Sequence, residues 1–541
     1  MAGACLGQSA SHLLAPAAKA VGLSGLLPGV DQPHSWQHGD PFTLGVAAGA
    51  PRTSGFVLWT RLAPQPLLLE GDLGQPGDLG LAGLSPITGD IEIGYEIARD
   101  PDMRQIVQRG RAIAEARYGY SVHHDVTGLQ SGRPYWFRFF CGDAVSRIGH
   151  ARTLPATDNE APAIKLGIAS CANYEHGYFS AYRRLAAEQP DLMIFLGDYI
   201  YEKAHGGDVI RRHSDGIAAK TLAQYRRRYA QYRLDPDLQA LHAAVPSLVT
   251  WDDHEVQNDY AGDWSETFDD PAAFRQRRAA AYQAFYEHMP LRPSLSQPHG
   301  ADMRIYDRTS FGSLLQLHLL DGRQYRSREA CYARPDHGGG HFETDRSCSE
   351  LRQPNRSLLG RTQEDWLYDG LATSPANWNL IAQDVLMAPF REAQPAPEHG
   401  FSSATDRWDG YPANRDRLLQ HLYQARPGNP VVLSGDIHSF WANDLHLNAE
   451  DTGSPLVAHE LVGSSITSSG PDYAAFTATL RDNPHVRFFD SRQRGYMLLD
   501  IDRQRLTAHY RTISDVTDPQ ARLSTLCSFT IESGVRELQA T

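Results

Sequence analysis

With 541 residues, 41% of them hydrophobic and 21% charged, the chain is long enough for two or more domains with sizeable cores and has the composition of an ordinary folded protein. Its formal charge of -13 excludes an extended nucleic-acid-binding surface, which needs an excess of Lys and Arg. Phosphate chemistry stays open, because bound cations can reverse the local field of an acidic protein.

Residues 1–37 are rich in Ala, Leu, Gly and Ser, with a tract Ala15-Pro-Ala-Ala-Lys-Ala, but they lack a basic leader and a twin-Arg pair. They read either as the remnant of an export signal or as a terminal tail. Residues 38–156 carry short strand signals at Phe42 to Val46, Gly55 to Thr60, Ile91 to Ile97, Tyr118 to Leu129 and Tyr135 to Phe140. Alternating apolar residues between Gly and Pro turns predict an all-β domain of immunoglobulin or fibronectin type, serving as scaffold or substrate presenter. A polar linker from Pro155 to Pro162 marks the boundary.

From residue 163 to 541 the pattern becomes α/β. Ile164 to Ala169 and Leu192 to Leu196 are short apolar runs, and Gly177 to Gln189 between them has helical spacing. Such a unit builds a parallel sheet whose strand ends line a ligand crevice. Helices are expected at Asp270 to Met289, Gln363 to Thr373 and Ala413 to Gln424. Buried strands are expected at Leu314 to Leu320, Trp378 to Ala382, Pro430 to Ser434 and Leu456 to Leu461. Cys331 and Cys348 lie in a long polar loop, where a disulfide is favoured over two free thiols. Cys5, Cys141 and Cys527 show no spacing signature. No later stretch is apolar enough to span a bilayer, so a soluble mature protein is expected.

Reactive residues gather just after the strands. Cys171 follows the first, and Asp198, Tyr201 and Glu202 follow the second. Leu248 to Thr250 leads into Asp252, Asp253, His254, Glu255 and Asn258; Leu319-Leu320 leads into Asp321, Arg323 and Arg326; Val431 to Leu433 leads into Asp436 and His438. Singly, each Asp reads as a helix cap and each His as a structural residue. Jointly they read as a metal site, since thiol, phenol, carboxylate and imidazole all become ligands on losing a proton. Zinc is the default for Cys and His ligands, whereas Tyr201 points to ferric iron and the extra carboxylate and amide oxygens point to calcium. His254, not needed as a ligand, is a candidate to protonate the leaving oxygen or to bind the phosphate, and Arg323 or Arg326 is a candidate to assist it.

In their order these motifs resemble the PhoD-like alkaline phosphatases and phospholipases D of the metallophosphoesterase superfamily. The resemblance rests on Ser170-Cys171 with Tyr174-Glu175, Leu196 to Glu202, Thr250 to Val256, Asp321 to Arg326, Trp408 to Pro412, Ser434 to Ser439 and Gly463 to Gly470. It implies a β-sandwich preceding a two-sheet α-β-β-α metallophosphoesterase core, with Fe3+ and Ca2+ in the site. By the resemblance, Cys171, Asp198, Tyr201 and His438 match iron ligands and Asp198 bridges to calcium. Asp253 and Asp436 stand at metal-binding positions of the wider superfamily, and Asn258 is a further calcium candidate. Two departures stand out: Gly322 where Thr is expected, and no long C-terminal capping helix after Ile531. The expected activity is hydrolysis of small phosphate esters by a metal-activated hydroxide, with no phosphoenzyme, in a periplasmic or secreted protein whose oligomeric state the sequence does not set. A phospholipase D-type phosphodiesterase and a non-catalytic surface binding protein with structural metals are the rival expectations.

Overall fold

The computed structural model describes residues 36, 39–68, 89–156, 161–205, 207–332, 339–393 and 401–541. Cys5, the tail tract at 15–20 and most of the linker between Pro155 and Pro162 lie outside them.

Leu192–Leu196 is apolar at every position and buried on both faces, which places it in the middle of a covered parallel sheet. Its Ile194 pairs in parallel with Ile168 of the strand Ala163–Ala169 on one side and with Leu248 of Ser247–Thr250 on the other. This is the centre of a ten-stranded sheet. Beyond Ala163–Ala169 it continues as an antiparallel meander of Arg494–Asp502, Arg505–Ile513, Leu523–Glu532 and Leu538–Ala540. After Ile531 the chain adds a further strand, Leu538–Ala540, paired with Leu523–Glu532.

A second sheet of seven strands has Leu315–Leu319, Trp378–Ala382, Pro430–Ser434 and Leu456–Val462 side by side and parallel. The two sheets meet face to face. Leu166, Ile168, Ile194, Leu196 and Leu499 from the first interlock with Leu317, Leu319, Leu380, Leu433 and Leu461 from the second. Each such fully buried side chain contributes about 1.5–3 kcal/mol. Ser180–Ala187, Leu222–Arg233, Pro236–Ala244 and Pro271–His288 cover the outer face of the first sheet, and Arg361–Ala372 and Pro412–Ala425 cover that of the second. The result is the expected α-β-β-α core. Helix starts follow local chemistry: Asp270 caps Ala272 and Ala273 N–H groups ahead of Pro271 at the first helical position.

The N-terminal part is all-β, but it is joined to the core through the sheet itself. Ile106–Ala114, Ile91–Ala98, Pro134–Cys141, Ala144–Val145 and Gly149–Arg152 form one layer. The facing layer is Val46–Arg52, Gly55–Arg61 and Ser121–Val126, which extend the ten-stranded sheet through the pairing of Gly49 with Ser247. Trp59 Nε1 donates to the Glu287 carbonyl at 3.1 Å, fixing this layer to the helix Pro271–His288. Three expectations are corrected. Phe42 to Leu44 is a turn, and the strand starts at Val46. Tyr118 to Leu129 yields only Ser121–Val126 as strand, after a short turn of helix at Ala116–Tyr118. Ile106–Ala114 is an additional edge strand.

Cys331 and Cys348 form the favoured disulfide, with S–S 2.07 Å and Cα–Cα 6.0 Å. Cys141 is buried and Cys527 half-buried. No helix among the described residues is long and apolar enough to cross a membrane.

Candidate metal centre

The ends of the parallel strands of both sheets converge on one rim. Ligand atoms of Cys171, Asp198 and His438 lie within 4.8 Å of one another, and so do those of Asp198, Asp253 and His254. Asp198 belongs to both groups. Tyr201 Oη donates to Asp198 Oδ2 at 2.8 Å, lies 3.0 Å from His438 Nε2, and accepts from Ser468 Oγ at 2.6 Å. The His438 Nδ1–H donates to the Ser469 carbonyl at 2.9 Å, so its Nε2 lone pair is turned toward Tyr201.

The backbone is bent to bring these groups together. Cys171, Asp198, Asp259, Asp436 and His438 all have φ between 51° and 61°, five of the thirteen left-handed non-glycine residues described. Such conformations cost about 1–3 kcal/mol each and persist where the surroundings fix them. One fixing element is Glu255, whose carboxylate accepts the backbone N–H of Asp198 at 3.1 Å, of Tyr199 at 2.6 Å and of Asp252 at 2.9 Å. Gly197, at φ 93°, is needed as well, because a Cβ there would stand 2.4 Å from that of Asp252.

Beside this group, Asp253 accepts the N–H of His254 at 2.8 Å and of Asp259 at 2.7 Å. Asn258 gives its backbone N–H to Glu202 and its Nδ2 to Glu266, each at 3.0 Å, which leaves its Oδ1 as an acceptor. The Glu202 carboxylate also lies 2.6 Å from His254 Nδ1, and the His254 ring rests on Tyr201 with centroids 4.1 Å apart. His254, Asn258, Asp259, Asp436 and His438 are partly exposed, so the rim opens to solvent on their side.

Behind the ligands runs a buried ionic network. Arg323 Nε bonds Asp252 Oδ1 at 2.6 Å, and its two terminal nitrogens hold the Asp406 carboxylate at 2.5 and 2.9 Å. Arg326 bonds the Gly322 carbonyl at 2.6 Å and Asp406 Oδ1 at 2.8 Å, and is buried. Asp321 is satisfied by Trp251 Nε1 and by the backbone N–H groups of Arg323 and Gln324, as a structural residue would be.

Electrostatics call for added positive charge. Burial, opposed by His254 and reinforced by Asp253 and Glu255, holds Asp198 well above the usual carboxylate range. Burial and then Asp406 push Asp436 up to about 7 and Asp259 well above its ordinary value. Burial and then Asp198 raise both the Cys171 thiol and the Tyr201 phenol. His438 is pressed down to about 3 by burial and by His254, so its imidazole is neutral. Burial opposes a charge on His254, but Asp253, Glu202 and Asp198 outweigh it and keep the ring protonated. A neutral imidazole beside carboxyl, thiol and phenol groups most of which burial raises above their ordinary values, Asp253 being the lowered exception, is a donor set suited to a multivalent cation.

Of the metal candidates read from the sequence, Cys171, Asp198, Tyr201 and His438 meet directly and Asp253 joins them through Asp198, Asn258 is attached by its backbone to Glu202, Asp436 lies in the turn before His438, and Arg326 stands behind. Sequence reasoning passed over Asp259, Glu255 as an anchor, Ser468 and Ser469 as supports of Tyr201 and His438, and Asp406. The Gly463 to Gly470 run signalled the two serines, whereas Asp406 sits in a loop that follows no apolar run.

Two facing sheets whose strand ends gather side chains able to hold a metal ion form the arrangement of a phosphoric ester hydrolase of metallophosphoesterase type. The chain belongs to the PhoD-like phosphatase family: the PhoD-like phosphatase model matches residues 166–510, and that of the PhoD-like phosphatase N-terminal domain matches residues 29–155. It is 41% identical over 512 residues to alkaline phosphatase D of Bacillus subtilis (strain 168), covering 93% of this chain and 83% of that protein. A solved structure of PhoD superposes with a TM-score of 0.84 at 40% identity, covering 94% of this chain and 93% of that one. The protein is a phosphoric ester hydrolase.

Proposed function

We propose that hydrolysis runs on a mixed centre, with ferric iron held by Cys171, Asp198, Tyr201 and His438 and calcium held by Asp198, Asp253, Asn258 and Asp436. The observation that carries this reading is the meeting of Cys171, Asp198 and His438 within 4.8 Å, with the Tyr201 hydroxyl bonded to Asp198 and His438. A phenol beside a thiol suits iron better than zinc, and the carboxylate and amide oxygens of Asp253, Asn258 and Asp436 suit calcium, with the His254 imidazole beside Asp253 engaged by Glu202. Those residues would hold cations that, when bound, would supply Lewis acidity to phosphate oxygens and to the attacking water.

The protein's own residues orient and protonate. Glu202 holds His254 at Nδ1, so the charged ring offers its Nε2–H to the departing oxygen of the ester. Ser468 and Ser469 keep Tyr201 and His438 aimed at the rim. Arg326 braces Asp406 against Arg323 from behind. The substrate is a small phosphate monoester, hydrolysed without a phosphoenzyme. The Cys331–Cys348 bridge supports work in an oxidising compartment, periplasmic or extracellular.

Elemental analysis of protein purified without added metal tests the metal assignment: iron and calcium together are expected, and zinc in their place would overturn it. Turnover of a phosphomonoester against a bis-ester tests the substrate class. Faster turnover of the bis-ester would favour a phospholipase D-type phosphodiesterase.

A further inference from the structure

Asp384, just past the strand Trp378–Ala382, is fully buried, and neither of its carboxylate oxygens has a hydrogen-bond partner among the described residues. Desolvating a carboxylate without donors is costly, and side chains placed only for packing avoid it. The backbone opposite is cut to admit it: a Cβ on Gly322 would stand 2.2 and 2.3 Å from the two Asp384 oxygens and 2.6 Å from Cγ. No larger residue fits at 322 while Asp384 holds its place.

The neighbours of Asp384 are cations. Arg323 Nε lies 3.7 Å from Asp384 Oδ2, and Arg326, whose Nη2 is buried without a hydrogen bond, shares the same pocket through its bond to the Gly322 carbonyl. Arg323 in turn reaches the metal rim, with Nη2 3.9 Å from Asp253 Oδ2. A fixed guanidinium that close to a candidate ligand repels any cation the ligand binds, and interior charges act over such distances with little screening. Asp252 and Asp406 already balance the two arginines in formal charge, so the Asp384 carboxylate is a further negative charge in the pocket behind the rim. The Asp384 carbonyl also accepts the Gly435 N–H at 2.7 Å, which ties the same residue to the turn that presents Asp436.

We infer that Asp384 is a positioning residue for the calcium side of the centre: its carboxylate makes the charged pocket behind the rim net negative, so that Asp253 and Asp436 bind a divalent cation tightly despite Arg323, and Gly322 is the space that admits it. The inference rests on the metal reading above and extends it to residues that touch neither cation nor substrate.

The experiment is a calorimetric Ca2+ titration of the full chain after chelator treatment, for the native protein and three variants. Asp384→Asn keeps the shape and removes the charge, and is expected to weaken Ca2+ binding about 10- to 100-fold while leaving the thermal midpoint of the chelated protein unchanged. Gly322→Ala is expected to lower both affinity and thermal midpoint, because the new methyl displaces the carboxylate. Gly322→Ser combined with Asp384→Ala refills the pocket without charge. It should recover the stability lost in Gly322→Ala but not the affinity, which separates packing from charge even where Asp384→Asn fails to fold. Native Ca2+ affinity in Asp384→Asn or in the double variant overturns the inference. Absence of Ca2+ binding by the native protein overturns the calcium reading itself.

Discussion

Tyr201 makes contact with Asp198, His438 and Ser468 through one oxygen, and that placement gives the iron assignment its sharpest consequence. Replacing it by Phe removes the phenolate and leaves the ring on His254, so a visible charge-transfer band is expected to disappear while the fold persists; an unchanged spectrum would remove Tyr201 from the ligand set. Asp198 lies in both ligand groups, and no other described side chain does. Asp198→Asn is therefore expected to lower kcat for ester hydrolysis by at least about 100-fold, read in a steady-state assay with circular dichroism to verify folding. The convergence of these side chains was legible in the sequence because a reactive residue directly after a buried strand has few places to point. The supporting residues were harder to read. Glu255 belongs to the same Asp-Asp-His-Glu run as the ligands, yet it turns back to hold three backbone amides, and only the fold distinguishes the two uses. The unexpected Gly322 also gains a reason that lies 62 residues away in the chain, at Asp384.

At the scale of elements, what was read correctly is what burial dictates. Trp378–Ala382 and Pro430–Ser434 are apolar runs covered on both sides, and their bounds agree with the sequence expectation to the residue. Ile106–Ala114 escaped notice because Gln108, Arg109 and Arg111 interrupt its apolar pattern, as suits an edge strand facing water. Leu222–Arg233 and Pro236–Ala244 drew no attention either, although Thr221 and Gln224 form a capping box and Asp235 precedes Pro236. The buried tyrosines and arginines of Leu222–Arg233 give no clean stripe, and Pro236–Ala244 is short. Capping also supplies a check on the scale of these effects. Asp270→Ala, at the exposed start of Pro271–His288 and remote from the rim, is expected to lower unfolding free energy by about 1 kcal/mol in a denaturant titration with activity intact.

For the whole molecule, the sequence foretold a sandwich, a linker and a catalytic core, but not that one sheet runs through both domains. The pairing of Gly49 with Ser247 is a contact between segments almost 200 residues apart, and strand patterns carry no information about such partners. The rim likewise draws on both sheets, Cys171, Asp198 and Asp253 from one and Asp436 and His438 from the other. The two leaves of the core thus share a clasp at one edge, and its strength depends on what the clasp holds. Stripping cations with a chelator should open that edge first: amide exchange ought to accelerate at 170–172, 197–199 and 435–439 well before the strands at the opposite end. A cation present at 100 to 1,000 times its Kd adds about 2.7–4.1 kcal/mol to stability, so the stripped protein should also melt earlier. With cations held there as proposed, the enzyme would tie its own durability to its cargo of ions, and scarcity of metal would shorten its working life as well as slow its chemistry.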